Sequence, residues 1–227
     1  IRFLEGFFRA AKGGKQVIFD VGANRGEYSR KILSIADRRG TELSLHLFEP
    51  TRSAFSSLAK DFLDSRVSLN PFAVSNSEGT AEIFFDNEGS TLSSLYRRDL
   101  ACYSIAMKGS ETVETVRLDR YFREKAIEHV DLLKLDIEGH ELFALQGMGS
   151  FLDSAFVDLI QFEYGGANLD SRTSLRDLYR ILEEAGFRIA KVMPDGLELR
   201  SYQPWMENFQ YANYVALSRT TLGTLSR

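Results

Sequence analysis

The chain has 227 residues, 44% of them hydrophobic and 26% charged, with a net charge of −4. That length and apolar content allow one large α/β domain or two small ones with a substantial core, and the acidic balance speaks against a nucleic-acid surface, which is normally basic. A single cysteine, Cys102, excludes an intrachain disulfide framework and points to a reducing, cytoplasmic compartment, and no apolar run reaches membrane-spanning length.

Residues 1–11 read as an amphipathic helix, with Phe3, Leu4, Phe7 and Phe8 on one stripe and Arg2, Glu5 and Arg9 off it. The expectation is a helix docked on the domain; a lid, or a surface that meets a membrane or an upstream domain, is the sharper alternative. The apolar run at 17–19 suits a strand covered on both faces. It leads through a Gly-rich turn into a helix over 27–36. Gly22 and Gly26 permit a sharp turn and close approach to a ligand, and Asp20 stands at the strand end, where open α/β sheets bind ligands. The turn lacks a dinucleotide fingerprint: Asn24 replaces the second glycine and Glu27 the third. An acid before the first glycine fits a ligand carrying positive charge and hydroxyls, as S-adenosylmethionine does.

A second strand over 43–48 ends at Glu49-Pro50, and an acid there is placed to hold ribose hydroxyls. Thr51 or Ser53 is expected to cap a helix reaching about residue 64. A short third strand at 67–69 precedes a turn, 70–74, that could flank an adenine ring. Another strand is expected at 80–85. Residues 90–94 read equally as a loop near the site or a surface connection. Residues 111–118 alternate as an edge strand does, and 118–123 start a helix.

The run 130–136 is the fourth major strand, followed by a dense polar cluster, Ile137-Glu138-Gly139-His140-Glu141, and a helix over 142–148. A fifth strand, 157–162, ends at Glu163. Residues 174–185 form an amphipathic helix stopped by Gly186. Pro194-Asp-Gly196 marks a hairpin, 211–217 a last strand, and the residues from 218 a loose tail. Parallel strands share one end, so Asp20, Glu49, Asn70, Asp136 and Glu163 should converge there.

With these strand ends in view, the chain resembles the FkbM family of methyltransferases. The resemblance rests on Asp20-Val-Gly-Ala-Asn-Arg-Gly-Glu-Tyr-Ser29, Phe48-Glu-Pro50, Ala73-Val-Ser75, Asp131-Leu-Leu-Lys-Leu-Asp-Ile-Glu-Gly-His-Glu141, Gln161-Phe-Glu-Tyr-Gly165 and Tyr211-Ala-Asn-Tyr-Val-Ala216. It implies a Rossmann-like class I methyltransferase: a mostly parallel seven-stranded sheet with an antiparallel edge strand and helices on both faces. The organisation expected is an N-terminal helix or extension (1–14), the methyltransferase domain (15–218) and a tail (219–227). It also implies S-adenosylmethionine as cofactor and methyl transfer to a hydroxyl of a sugar, lipid or natural product. Asp20, Gly22, Ala23, Asn24, Gly26 and Ser29 would hold the methionine end, Glu49 the ribose, and Asn70 and Ala73 would lie by the adenine.

A hydroxyl is a poor nucleophile, so a general base is expected. His140, whose ordinary pKa is near neutral, is the first candidate, although it could simply begin the next helix. Asp136, Glu138 and Glu163 are the alternatives, and Asp136 could instead hold the cofactor's ammonium. The acids could also hold Mg²⁺ or Ca²⁺, although no spacing among them is a recognised metal motif. His46 and His129 read as structural, and Trp205, Tyr202, Phe209 and Tyr211 as packing or as an aromatic wall for an acceptor. The rival readings are an NAD-linked oxidoreductase or epimerase and a non-catalytic binding module. Acceptor identity and oligomeric state have no signature in the sequence.

Overall fold

The apolar runs form the centre of one sheet, because strands covered on both faces are near-continuously hydrophobic. The structure is a computed structural model that describes residues 2–10 and 13–225. The first half contains α1 (Arg2–Ala10), β1 (Gln16–Val21), α2 (Glu27–Arg39), β2 (Leu43–Phe48), α3 (Arg52–Asp61), β3 (Val67–Asn70), β4 (Ala73–Val74) and β5 (Gly79–Phe85). Then follow β6 (Gly109–Val116), α4 (Leu118–Glu124), β7 (Val130–Leu135), α5 (Glu141–Gln146), β8 (Val157–Tyr164) and α6 (Ala167–Ser171). The chain continues through α7 (Leu175–Glu184), β9 (Arg188–Met193), β10 (Gly196–Leu199), β11 (Ala212–Leu217) and α8 (Arg219–Leu225).

The main sheet has the order β10-β9-β11-β8-β7-β1-β2-β3. Strands β3, β2, β1, β7 and β8 are mutually parallel, and β11 runs antiparallel to β8 and β9. Successive residues of β1 face opposite layers. Ile18 packs with Leu4, Phe7, Ile32, Ile35 and Leu58 from α1, α2 and α3. Phe19 packs with Phe122, Leu145, Leu178 and Leu182 from α4, α5 and α7.

Several expectations are corrected. The sheet has eight strands: the hairpin does supply an antiparallel edge in β10, but β11 is a second antiparallel strand inside the sheet. The segment read as an edge strand, β6, is the centre of a separate three-stranded sheet. Its neighbour β4 is two residues long, too short to show a period, and lies in the stretch read as a turn. Thr51 precedes α3 without capping it, because its hydroxyl donates to Glu49. The tail read as loose forms helix α8 as far as Leu225, and 226–227 lie outside the described residues: Ser218 Oγ accepts the Thr221 N–H as an N-cap does, and Leu222 packs on the core. Helix α6 has no counterpart in the sequence reading. Leu4, Phe7 and Phe8 are buried, so α1 docks on the domain; Ile1 and Ala11, which the sequence assigns to the same helix, lie outside the described residues.

Candidate active site

Chain order moves from β1 to β2 and β3 on one side and later places β7 and β8 on the other. The carboxyl end of β1 is therefore a topological switch point. A cleft of about 360 Å³ opens there, within the size range of small-molecule sites. It is walled by Gly22 and Asn24 of the first turn, Glu49 after β2, Ala73 of β4, and Asp136, Glu138, His140 and Glu163 from the β7 and β8 ends.

Of the residues expected to hold a cofactor, Gly22, Asn24, Glu49 and Ala73 border this cleft. Glu49 is buried; one of its oxygens accepts the Asn24 N–H at 2.9 Å, the other the Thr51 N–H and hydroxyl. Burial raises its pKa, and these hydrogen bonds oppose the rise. Asn24 takes a left-handed backbone, φ 46°, which its short polar side chain tolerates.

Asp20, Ala23, Gly26, Ser29 and Asn70 do not line the cleft; they support it from behind. Asp20 is fully buried, and its oxygens accept from Ser29 Oγ at 2.6 Å and Lys134 Nζ at 2.9 Å. Asn70 Nδ2 donates to the Leu47 and Ser68 carbonyls and pins β3 to β2. The glycines do allow the turn, with φ 81° at Gly22 and 78° at Gly26. What approaches them closely is protein: a Cβ on Gly22 would meet the Asp136 carbonyl oxygen at 1.9 Å, and one on Gly26 the Phe62 ring at 2.3 Å.

The opposite wall is a carboxylate cluster organised by a cation the sequence reading passed over. Lys134, buried in β7, reaches Asp20 and also Asp136 at 3.2 Å. Burial raises the Asp136 pKa, but the Lys134 charge and hydrogen bonds from Glu163 and Lys134 outweigh it, so Asp136 stays ionised. Glu163 moves the other way: burial and the adjacent Asp136 charge hold it protonated. Glu138 has a left-handed backbone, φ 52°, and its carboxylate pairs with the Arg98 guanidinium. Burial raises its pKa, Arg98 lowers it and Asp136 raises it, which leaves it near 7. Glu141 turns away from the cleft and accepts the Ile137 and Gly139 N–H groups, holding the turn that presents Glu138.

His140 borders the cleft, but its ring is engaged on both sides. Nδ1 is 2.8 Å from the Tyr96 hydroxyl, Nε2 is 2.9 Å from Ser75 Oγ, and the ring stacks on Phe143. Burial lowers its pKa to about 4, so it is a weak base and a packed, hydrogen-bonded one.

Residues 90–95 lie on the cleft, and Asn24 Nδ2 donates to the Ser90 carbonyl while Ser94 Oγ donates to the Glu138 carbonyl. Tyr96 and Arg98 continue the same strap across the turn at 137–140, bonding His140 and Glu138. Nothing in their local sequence marks this, because all of these bonds are to distant segments. Tyr211 also lines the cleft, whereas Tyr202 and Phe209 pack on the core and Trp205 is exposed. His46 stacks on Phe19 and bonds Tyr121, and His129 pairs with Asp158 at 3.3 Å. Among the described residues, His129, Asp131 and Asp158 bring ligand-type atoms within 4.8 Å of one another at the opposite end of the sheet. They border a cavity of about 1380 Å³ that is separate from the strand-end acids.

A doubly wound sheet with an inserted antiparallel strand, a ligand cleft at the switch point and acids after β2 and β7 define a Rossmann-like methyltransferase domain. The sequence model of the methyltransferase FkbM domain matches residues 20–189, and the chain belongs to that family. The hexuronic acid methyltransferase AglP of Haloferax volcanii is 23% identical over 169 residues, which cover 74% of this chain and 62% of that protein. The crystal structure of methyltransferase FkbM from Methylobacillus flagellatus KT shares the fold with a TM-score of 0.56 at 14% identity, covering 94% of this chain and 48% of that one. The match thus spans less than two thirds of either relative's length.

Proposed function

We propose that this chain transfers a methyl group from S-adenosylmethionine to a hydroxyl oxygen of a small acceptor, with a sugar as the leading class. The observation that carries the reading is the pairing of two walls across one cleft. One wall offers Glu49, Asn24 and Gly22 to a ligand rich in hydroxyls. The other offers Asp136, an ionised carboxylate, to a cationic one. A nucleoside linked to a sulfonium amino acid has both features, and the apolar side chains of Phe48, Phe72 and Ile83 in the same cleft suit its aromatic base. The name of the Haloferax relative, which specifies a hexuronic acid, supports a sugar acceptor.

The cofactor supplies an activated methyl group on sulfur, and the protein positions the reactants. Glu138 is the general base in this reading. It borders the cleft, it titrates near neutrality, and its left-handed backbone is the kind of local strain that functional sites retain. Protonated Glu163 donates its one O–H to Asp136, and ionised Asp136 faces the cofactor's positive charge. His140 holds Tyr96 and Ser75 in place as a neutral ring.

The test is calorimetric titration with S-adenosylhomocysteine, with NAD as the control. Micromolar binding of the first alone is expected; binding of NAD alone, or of neither, overturns the reading. With an acceptor in hand, Glu138→Gln should lower turnover by ~10²–10⁴-fold and leave cofactor affinity intact.

A further inference from the structure

Arg98 belongs to the strap between β5 and β6, 40 residues from the catalytic turn in sequence. Its side chain is only 9% exposed. Nη1 donates to Glu138, while Nε, buried and without a hydrogen bond, faces Asp170 of α6 at 3.5 Å. Asp170 in turn accepts the Asp99 N–H at 3.2 Å. One guanidinium thus stands between two carboxylates, one in the cleft and one behind it, at the junction of the strap, the catalytic turn and α6. The junction is tight: a Cβ on Gly139 would meet the Ala167 carbonyl oxygen at 2.7 Å.

We propose that Arg98 is the positioning residue of the methyl-transfer site: it aims the Glu138 carboxylate into the cleft and, in competition with Asp170, sets how readily Glu138 takes a proton. This rests on the reading of Glu138 as the base. The other titratable groups that act on Glu138 are Asp136 just after β7, Glu163 of β8 and Tyr211 ahead of β11; Lys134 is paired with Asp136, and Glu141 turns away from the cleft. Of these, ionised Asp136 disfavours a second negative charge nearby, whereas Glu163 and Tyr211 are held neutral by burial and by the neighbouring acids. Arg98 is the cation in direct contact with Glu138, so it is what keeps the carboxylate form accessible near neutral pH. Asp170 draws the same guanidinium backwards and weakens that hold. The two residues therefore act on Glu138 with opposite signs, which a purely structural tie would not do.

The experiment is a pH titration of the Glu138 side chain by carboxyl-carbon NMR on the full chain, assigned with Glu138→Gln. In Arg98→Gln the Glu138 pKa should rise by about one pH unit or more. Arg98→Lys should restore part of the difference, since it keeps the charge without the planar fork. Asp170→Asn should move the pKa down. An unchanged Glu138 pKa in Arg98→Gln, or a move in the same direction in Arg98→Gln and Asp170→Asn, overturns the inference. If Arg98→Gln does not fold, Arg98→Lys and Asp170→Asn decide, because both keep the packing and differ in expected sign. Calorimetry with S-adenosylhomocysteine on the same samples separates the two claims. Loss of cofactor binding in the unmodified chain removes the functional reading, whereas normal binding with an immobile Glu138 pKa removes Arg98's role alone.

Discussion

Asp20 and Lys134 form a buried ion pair at 2.9 Å beneath the Gly-rich turn, with side-chain exposures of 0% and 8%. The strongest sequence signal for cofactor contact is thus a structural acid. Burial disfavours the Lys134 charge, but Asp20 and Asp136 outweigh it and hold the ammonium charged. Asp20→Asn should therefore destabilise the fold by ~3 kcal/mol, the cost of leaving a buried charge half-compensated. Adding Lys134→Met should recover part of that loss. Urea denaturation of the two variants checks both statements; a neutral Asp20→Asn would refute the buried-pair account.

Gly22 and Gly40 share a left-handed backbone but differ in what surrounds them. Gly22→Ala drives a methyl into the Asp136 carbonyl, so it should separate β1 from β7, lower stability by more than ~3 kcal/mol and abolish cofactor binding. Gly40, at φ 64° with open space around it, should lose only ~1 kcal/mol on conversion to Ala. Thermal unfolding alongside S-adenosylhomocysteine titration distinguishes the two; equal losses would mean that backbone strain alone matters.

The buried Glu141 makes stability fall as pH rises. Burial raises its pKa from 4.5 to about 7 in the folded chain, so its contribution is complete below 4.5 and lost as pH climbs through 7. The size is on the order of 3 kcal/mol. His46 and His140, lowered by burial from 6.5 to about 4, act oppositely: their contribution is complete above 6.5 and lost towards 4. Glu141→Gln should therefore gain on the unmodified protein by ~3 kcal/mol between pH 4.5 and 7. Denaturation midpoints across that window should diverge steadily; a constant gap would show that Glu141 titrates normally.

The strap depends on a few polar bonds. Ser94→Ala removes the 2.8 Å bond to the Glu138 carbonyl, at ~1 kcal/mol. Amide exchange of residues 90–95 should quicken by about fivefold for that energy, and cofactor affinity should weaken by a similar factor. Faster exchange with unchanged affinity would detach the strap from the cleft.

Much of the fold is legible along the chain because its signals are local. The apolar run at 17–19 and the nearly all-apolar stretch at 130–136 read as covered strands, since a half-exposed strand would alternate. Pro194-Asp-Gly196 fixes a hairpin, and Leu175, Leu178 and Leu182 fix the buried face of α7. Helix α8 was also legible through Ser218 and Thr221, whose capping pattern is easily passed over in a polar tail. The two residues of β4 were not, because a period needs length.

The sequence by itself determined which acids stand at strand ends, because strand boundaries follow from hydrophobic patterning. Glu49, Asp136, Glu138 and Glu163 do meet across one cleft. Only the tertiary structure decided what those residues can do. Burial and partners come from segments 40 or more residues apart: Lys134 takes Asp20 out of the cleft, Tyr96 and Ser75 occupy both nitrogens of His140, and Arg98 tempers Glu138. Protonation depends on desolvation and on charges brought near by folding, and neither is written in the order of residues around an acid.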